Sequence, residues 1–125
     1  MPRWRDGTGL LLLPGPPGLP EPPPVPLEIA SSYRARTRGL LGRDGVEGAL
    51  LLTPASSVHT FRMRFAIDVA YLDRELTVLA VRTMVPGRLG LPRVRGRHVL
   101  EASAGAWGRW GVGVGTRVGV RVGDR

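Results

Sequence analysis

The sequence predicts a mainly β fold, a compact β-sandwich or barrel-like domain with two short helices. Three features of the 125 residues carry that expectation. Short apolar or alternating runs recur between Gly and Pro punctuation, as half-buried strands joined by turns require. Hydrophobic residues make up 42% of the chain, enough for a core, yet no apolar run reaches the roughly 18 residues of a membrane-spanning helix. Cysteine is absent, so that core must form without disulfides.

Residues 1–26 hold nine of the 12 prolines. Proline fixes φ and lacks an N–H, so this density argues against helix interiors and central strands and predicts a flexible, polyproline-prone tail. Arg3 and Arg5 precede the leucines at 10–13, but that run is too short for a secretory leader and no small-residue cleavage site follows. Pro-x-x-Pro spacing (Pro14, Pro17, Pro20, Pro23) fits an adaptor ligand, although a flexible tail already accounts for it. Residues 27–125 are then expected to form one domain. Its first strand is 27–30, alternating apolar and polar. Ser31 and Ser32 offer a cap for a helix over 33–41 that Gly42 ends. Residues 49–52 read as a buried strand stopped before Pro54. Strands follow at 58–65, 67–73 and 76–84, then a loop from 85 to 97. Another strand covers 99–102, and 104–110 makes one or two helical turns with Trp107 and Trp110 on one face. Residues 117–122 alternate again, aligning Val118, Val120 and Val122.

Several chemistries are excluded by residue type. Without cysteine, and with only His59 and His98, neither a zinc finger nor a thiol nucleophile can be assembled. Without lysine there is no P-loop lysine and no Schiff base. No G-x-S-x-G surrounds any serine, and the glycines at 111–115 fail the G-x-G-x-x-G spacing. Metal binding would need His59 and His98 with Asp68, Asp73 or Glu101, and no ligand spacing joins them; neither a metal nor a cofactor is expected.

The most distinctive segment is 58–73. An extended 58–65 puts His59, Phe61, Met63 and Phe65 on one face and Val58, Thr60, Arg62 and Arg64 on the other. His59 is therefore expected on the buried side, as a core histidine or, in a functional reading, as a general base or ligand. Arg64 and Asp68 flank a short link. Their pairing reads either as a structural ion pair or as an anion-binding guanidinium held by its carboxylate.

The charge is +8 and the pI about 11.6, with all 18 basic residues arginine. Asn and Gln are also missing and Ile occurs twice, a pattern of GC-rich coding that supplies Arg without any ligand. Arg82, Arg88, Arg93, Arg95 and Arg97 fall where no acid stands between Glu75 and Glu101. They are the anion-binding candidates. The stretch contains no aromatic platform, so weak, sequence-blind polyanion contact is expected of it.

A larger pattern then stands out. Arg38-Gly39-Leu40-Leu41-Gly42-Arg43 is followed by Val58-His59-Thr60-Phe61, Met63-Arg64-Phe65, Ile67-Asp68-Val69, Leu72-Asp73, Pro86-Gly87, Val99-Leu100-Glu101 and Ala104-Gly105. In order and spacing these resemble the domain-of-unknown-function 192 family across nearly all of 27–122. The resemblance implies a compact β-rich domain of bacteria and archaea, in a family without an established biochemical role. The family most often has Pro at Ala66, Gly near Leu76, Pro at Ser103 and Asp at Thr116. Those departures are expected to loosen the corner at 65–67 and the hairpin after Asp73 without abolishing the fold.

Two function classes stay open. The first is a non-catalytic binding or structural module with a pocket near His59, Arg64 and Asp68, bordered by Thr60, Phe61, Met63 and Glu101. The second is an enzyme using His59 with a carboxylate as acid and base, which would need these groups to converge with perturbed pKa values. A non-specific polyanion binder acting through 82–97 is a further alternative. The expected partners are a small ligand or a protein, the expected location is the cytoplasm, and no membrane span is expected.

Overall fold

A computed structural model describes residues 4–123. In chain order the elements are β1 (Gly7–Leu12), β2 (Val25–Ala30), α1 (Tyr33–Arg38), β3 (Ala49–Leu52), β4 (Val58–His59), β5 (Ile67–Leu72), β6 (Val78–Met84), β7 (Leu89–Gly90), β8 (His98–Ser103), α2 (Ala106–Trp110) and β9 (Gly119–Val122). Seven strands form one sheet in the order β6-β5-β8-β3-β2-β1-β9, and β4 pairs with β7 apart from it. Every neighbouring pair is antiparallel except β2 with β3. That parallel pair needs a crossover, and α1 with the turns after it supplies one. Thr77 and Arg117 bridge just ahead of β6 and β9, so the two edges of the sheet approach each other. The barrel does not close. The fold is mainly β, as the sequence predicts.

Alternation along the central strands explains the core. Leu11, Leu27, Leu51, Ala70, Leu72, Leu100 and Ala102 point to one face, where Trp107, Val112 and Val118 cover them. Leu50, Leu52, Ile67, Val69, Tyr71 and Val99 point to the other, beneath Leu40, Val58 and Met63. Both faces are covered, so β3 and β5 are buried along their whole length. Among the described residues no helix is long and apolar enough to cross a membrane.

Residues 7–12 overturn the expectation of a flexible tail over 1–26. β1 lies inside the sheet between β2 and β9, and Leu11 and Leu13 are 0% and 4% exposed. The prolines collect in the connection at 14–24, where no ladder hydrogen bonds are needed, which leaves 7–12 free to pair. Pro26, the second residue of β2, turns its ring to the exposed side. The outer ends of the two expected segments, 1–3 and 124–125, lie outside the described residues.

Local geometry corrects other boundaries. Ser32 caps α1 by accepting from the Ala35 amide, but the helix stops at Gly39 (φ 48°), whose N–H returns to the Ala35 carbonyl. The expected strand 58–65 survives only as β4. Thr60 accepts from the Met63 amide at 3.2 Å and Arg62 sits at φ 64°, a turn that ends the alternation. The loop 85–97 contains β7. After Asp73 the hairpin forms without glycine: Leu76 takes φ 68°, and Asp73 Oδ1 accepts from the amides of Glu75 (2.9 Å) and Thr77 (3.0 Å).

Candidate functional site

Of the seven candidate pocket residues, three line one cavity: His59, Met63 and Glu101. The sheet itself separates Asp68 from these, while Thr60, Phe61 and Arg64, in the loop between β4 and β5, do not line the cavity. Glu101 pairs with Leu50 and Val69, so its side chain shares their face. Asp68 pairs with Ala102 and points to the opposite face. There Asp68 accepts from Thr83 Oγ1 (2.8 Å) and from the Trp107 amide (3.2 Å). Gly105, the N-cap of α2, has no side chain to offer, and Asp68 supplies the missing acceptor from β5. Asp68 is thus a structural cap.

Arg64 does not reach Asp68. It pairs with Asp44 at 3.1 Å, both side chains well exposed, so the expected anion-holding pair is not formed. Thr60 is fully buried and ties down the following loop, donating to the Val85 carbonyl (2.7 Å) and accepting from the Arg88 amide (2.8 Å). His59 is exposed rather than buried, because β4 ends at the Thr60 turn and Val58, not His59, faces inward. Its Nδ1 accepts from the Phe61 amide at 3.3 Å, and its ring stacks on half-exposed Phe61 at 5.0 Å. That hydrogen bond assigns the proton to Nε2 in the neutral ring.

The cavity of about 90 Å³ lies between the end of α1 and the β4 turn, with Arg38, Leu40, Leu52, His59, Met63 and Glu101 in its wall. Glu101 is 4% exposed, and among the described residues no donor bonds its carboxyl. Burial alone pushes its pKa up to about 7. Gly39 brings the backbone over this carboxyl; a β-carbon there would sit 3.9 Å from Oε1. Arg36 also lines the cavity, but its guanidinium donates to the carbonyls of Ser31 and Pro54, both at 3.1 Å, and not to Glu101. The result is an unpartnered carboxyl under a small cleft with an imidazole at its rim.

The five candidate anion-binding arginines separate into three places. Arg82, Arg88 and Arg93 line one cleft of about 420 Å³. Arg95 is exposed on a turn. Arg97 lines another cleft with Trp4 and His98. Tyr71 supplies the aromatic surface that 82–97 lacks: the Arg93 guanidinium carbon lies 4.9 Å from its ring centre. No local window places Tyr71 beneath Arg93, because the two meet only through the fold. His98 is buried, bonded through Nδ1 to Thr53 Oγ1 at 2.7 Å and met edge-on by Trp4. Burial, and then the Arg97 charge, hold its pKa below the usual imidazole value. Among the described residues no three His, Asp or Glu side chains come together.

The chain is similar to known proteins in sequence and in fold. The model of the DUF192 family, described as "Uncharacterized ACR", matches residues 20–120. A UPF0127 protein of Pyrococcus horikoshii is 31% identical over 84 residues, 63% of this chain and 73% of the relative. One of Pyrococcus abyssi is also 31% identical over 84 residues, covering 63% and 72%. Among solved structures, a candidate transcription regulator of Sinorhizobium meliloti superposes with a TM-score of 0.78 at 18% identity, covering 95% of this chain and 98% of that one. A Novosphingobium aromaticivorans protein of unknown function gives 0.73 at 18% identity, covering 90% and 84%. At such identity the superpositions speak to the fold alone.

Proposed function

Since the chain belongs to the DUF192 family, and the matched span 20–120 contains the whole wall of the cavity over Glu101, we propose that it is a non-catalytic binding module whose site is that cavity. One observation carries the reading: a buried carboxyl with no donor among the described residues, facing a space that can admit one. A buried polar group without a partner costs stability, and a ligand bringing a donor removes that cost. The cavity has the volume of about three waters in the bulk liquid, so it suits the end of a small molecule or peptide, an amine, amide or hydroxyl. A cationic amine is the best fit, because it favours the ionised carboxyl.

Carbon-detected NMR of the Glu101 carboxyl, titrated with methylammonium and with acetamide, tests this. Methylammonium is expected to lower the carboxyl's titration midpoint from about 7, and Glu101→Gln is expected to abolish amide shifts at Gly39 and Met63. Unchanged titration and no amide shifts with either probe at tens of millimolar would rule the site out. A second reading, proton transfer by His59 and Glu101, is favoured by their sharing one cavity wall. It differs in requiring His59: His59→Gln would leave methylammonium binding intact if the module only binds.

A further inference from the structure

We propose that the cleft between β6 and the β7 loop binds a small amphipathic anion, a phosphate monoester or carboxylate head on an apolar body. Arg82, Arg88 and Arg93 converge on it from two segments of chain. Among the described residues the ion pairs are Arg43 with Glu28 and Arg64 with Asp44, so no carboxylate neutralises these three. Among the described residues Arg82 bonds only the adjacent Val81 carbonyl. Arg93 lies over Tyr71, and its Nε is buried with no partner. A guanidinium held on an aromatic face, with donors unspent, is preorganised for an oxyanion.

The cleft is built rather than incidental. Thr60 pins the backbone on both sides of Gly87, which fixes where Arg88 starts. Gly90 lets β7 lie directly on Tyr71, since a β-carbon there would collide with the tyrosine hydroxyl and with Val58. Apart from Thr83, the remaining wall is mostly apolar. Leu89 and Leu91 are 61% and 69% exposed beside Met84 and Val85, a surface that water solvates poorly and that an alkyl or aryl body would cover. Charge and apolar area in one concave space select a ligand with both. An extended polyanion would want a stripe of charge, whereas Arg95 and Arg97 lie outside this cleft.

The test titrates the full isotope-labelled chain with octyl phosphate and with octanoate, each below its micellar concentration, and follows backbone amides by NMR. Inorganic phosphate and octanol serve as the head and body alone. Saturable shifts confined to 82–93 with either amphiphile support the proposal, and the preferred head group tells phosphate from carboxylate. Each half alone is expected to bind at least about tenfold more weakly. Arg88→Ser is expected to weaken amphiphile binding on the order of tenfold, and Leu89→Ser to weaken it less. The wild-type amide map decides the matter even where a variant folds poorly. No saturable shift with either amphiphile overturns the proposal. So does binding to phosphatidylserine vesicles or duplex DNA when both amphiphiles fail, which would make the patch a macromolecular surface.

Discussion

Replacing Glu101 by Gln keeps the shape of the side chain and removes its titration, so it isolates what burial of this carboxyl does to the fold. The folded pKa stands at about 7 against 4.5 for the free group. Between those values the folded protein holds a proton that the unfolded chain has released, so stability falls as pH rises. It is unaffected below 4.5, declines through the interval, and carries the full penalty above about 7. At about 1.36 kcal/mol per pH unit over that interval, the penalty is roughly 3 kcal/mol. His98 works in the opposite direction: its lowered pKa removes stability as pH falls through the ordinary imidazole range. Both proteins contain His98, so the difference between them cancels it. Urea unfolding of wild type and Glu101→Gln at pH 4.5, 6 and 8 is therefore expected to show a stability difference growing by roughly 3 kcal/mol in favour of Gln. A difference that stays flat across those conditions would refute the argument, showing that the carboxyl is solvated or bonded in solution. If Gln stabilises the fold while abolishing the methylammonium response, the protein is giving up stability to keep a site.

Other perturbations follow the same contacts. Asp68→Ala leaves the Trp107 amide and the Thr83 hydroxyl without their acceptor and is expected to cost about 1–3 kcal/mol in chemical denaturation. Thr53→Val strips His98 of its 2.7 Å partner; a loss of about 1–2 kcal/mol is expected, together with a shift of the His98 ring resonances. Leu11→Ala opens a cavity at a fully buried position and is expected to cost about 2–5 kcal/mol, whereas an unchanged thermal midpoint would return 7–12 to the status of a tail. Deleting residues 1–12 exposes the edges of both β2 and β9 and is expected to give an unfolded or aggregating chain by circular dichroism and light scattering.

Short-range pattern suffices for several elements. The apolar run at 49–52 is β3 to the residue, the runs at 67–73 and 99–102 mark β5 and β8 within a residue of their ends, and Ser32 is the cap of α1. Each depends on spacing and turn chemistry within a few residues. Glu101, His59 and Met63 are among the candidate residues, whereas 38–43 figures only in the family resemblance and not as the cover of the cavity. Which of the candidates meet is set by long-range packing. The turn over 60–63, with Arg62 at positive φ, breaks the alternation that would have put His59 and Met63 on one face, and strand register alone sends Glu101 and Asp68 to opposite sides of the sheet. β1 was illegible because its flanking prolines speak against a strand, while its ladders run to residues 25–29 and 119–122. Tyr71 meets Arg93 across more than 20 positions of chain, a contact that loop closure and packing choose and local propensity does not register.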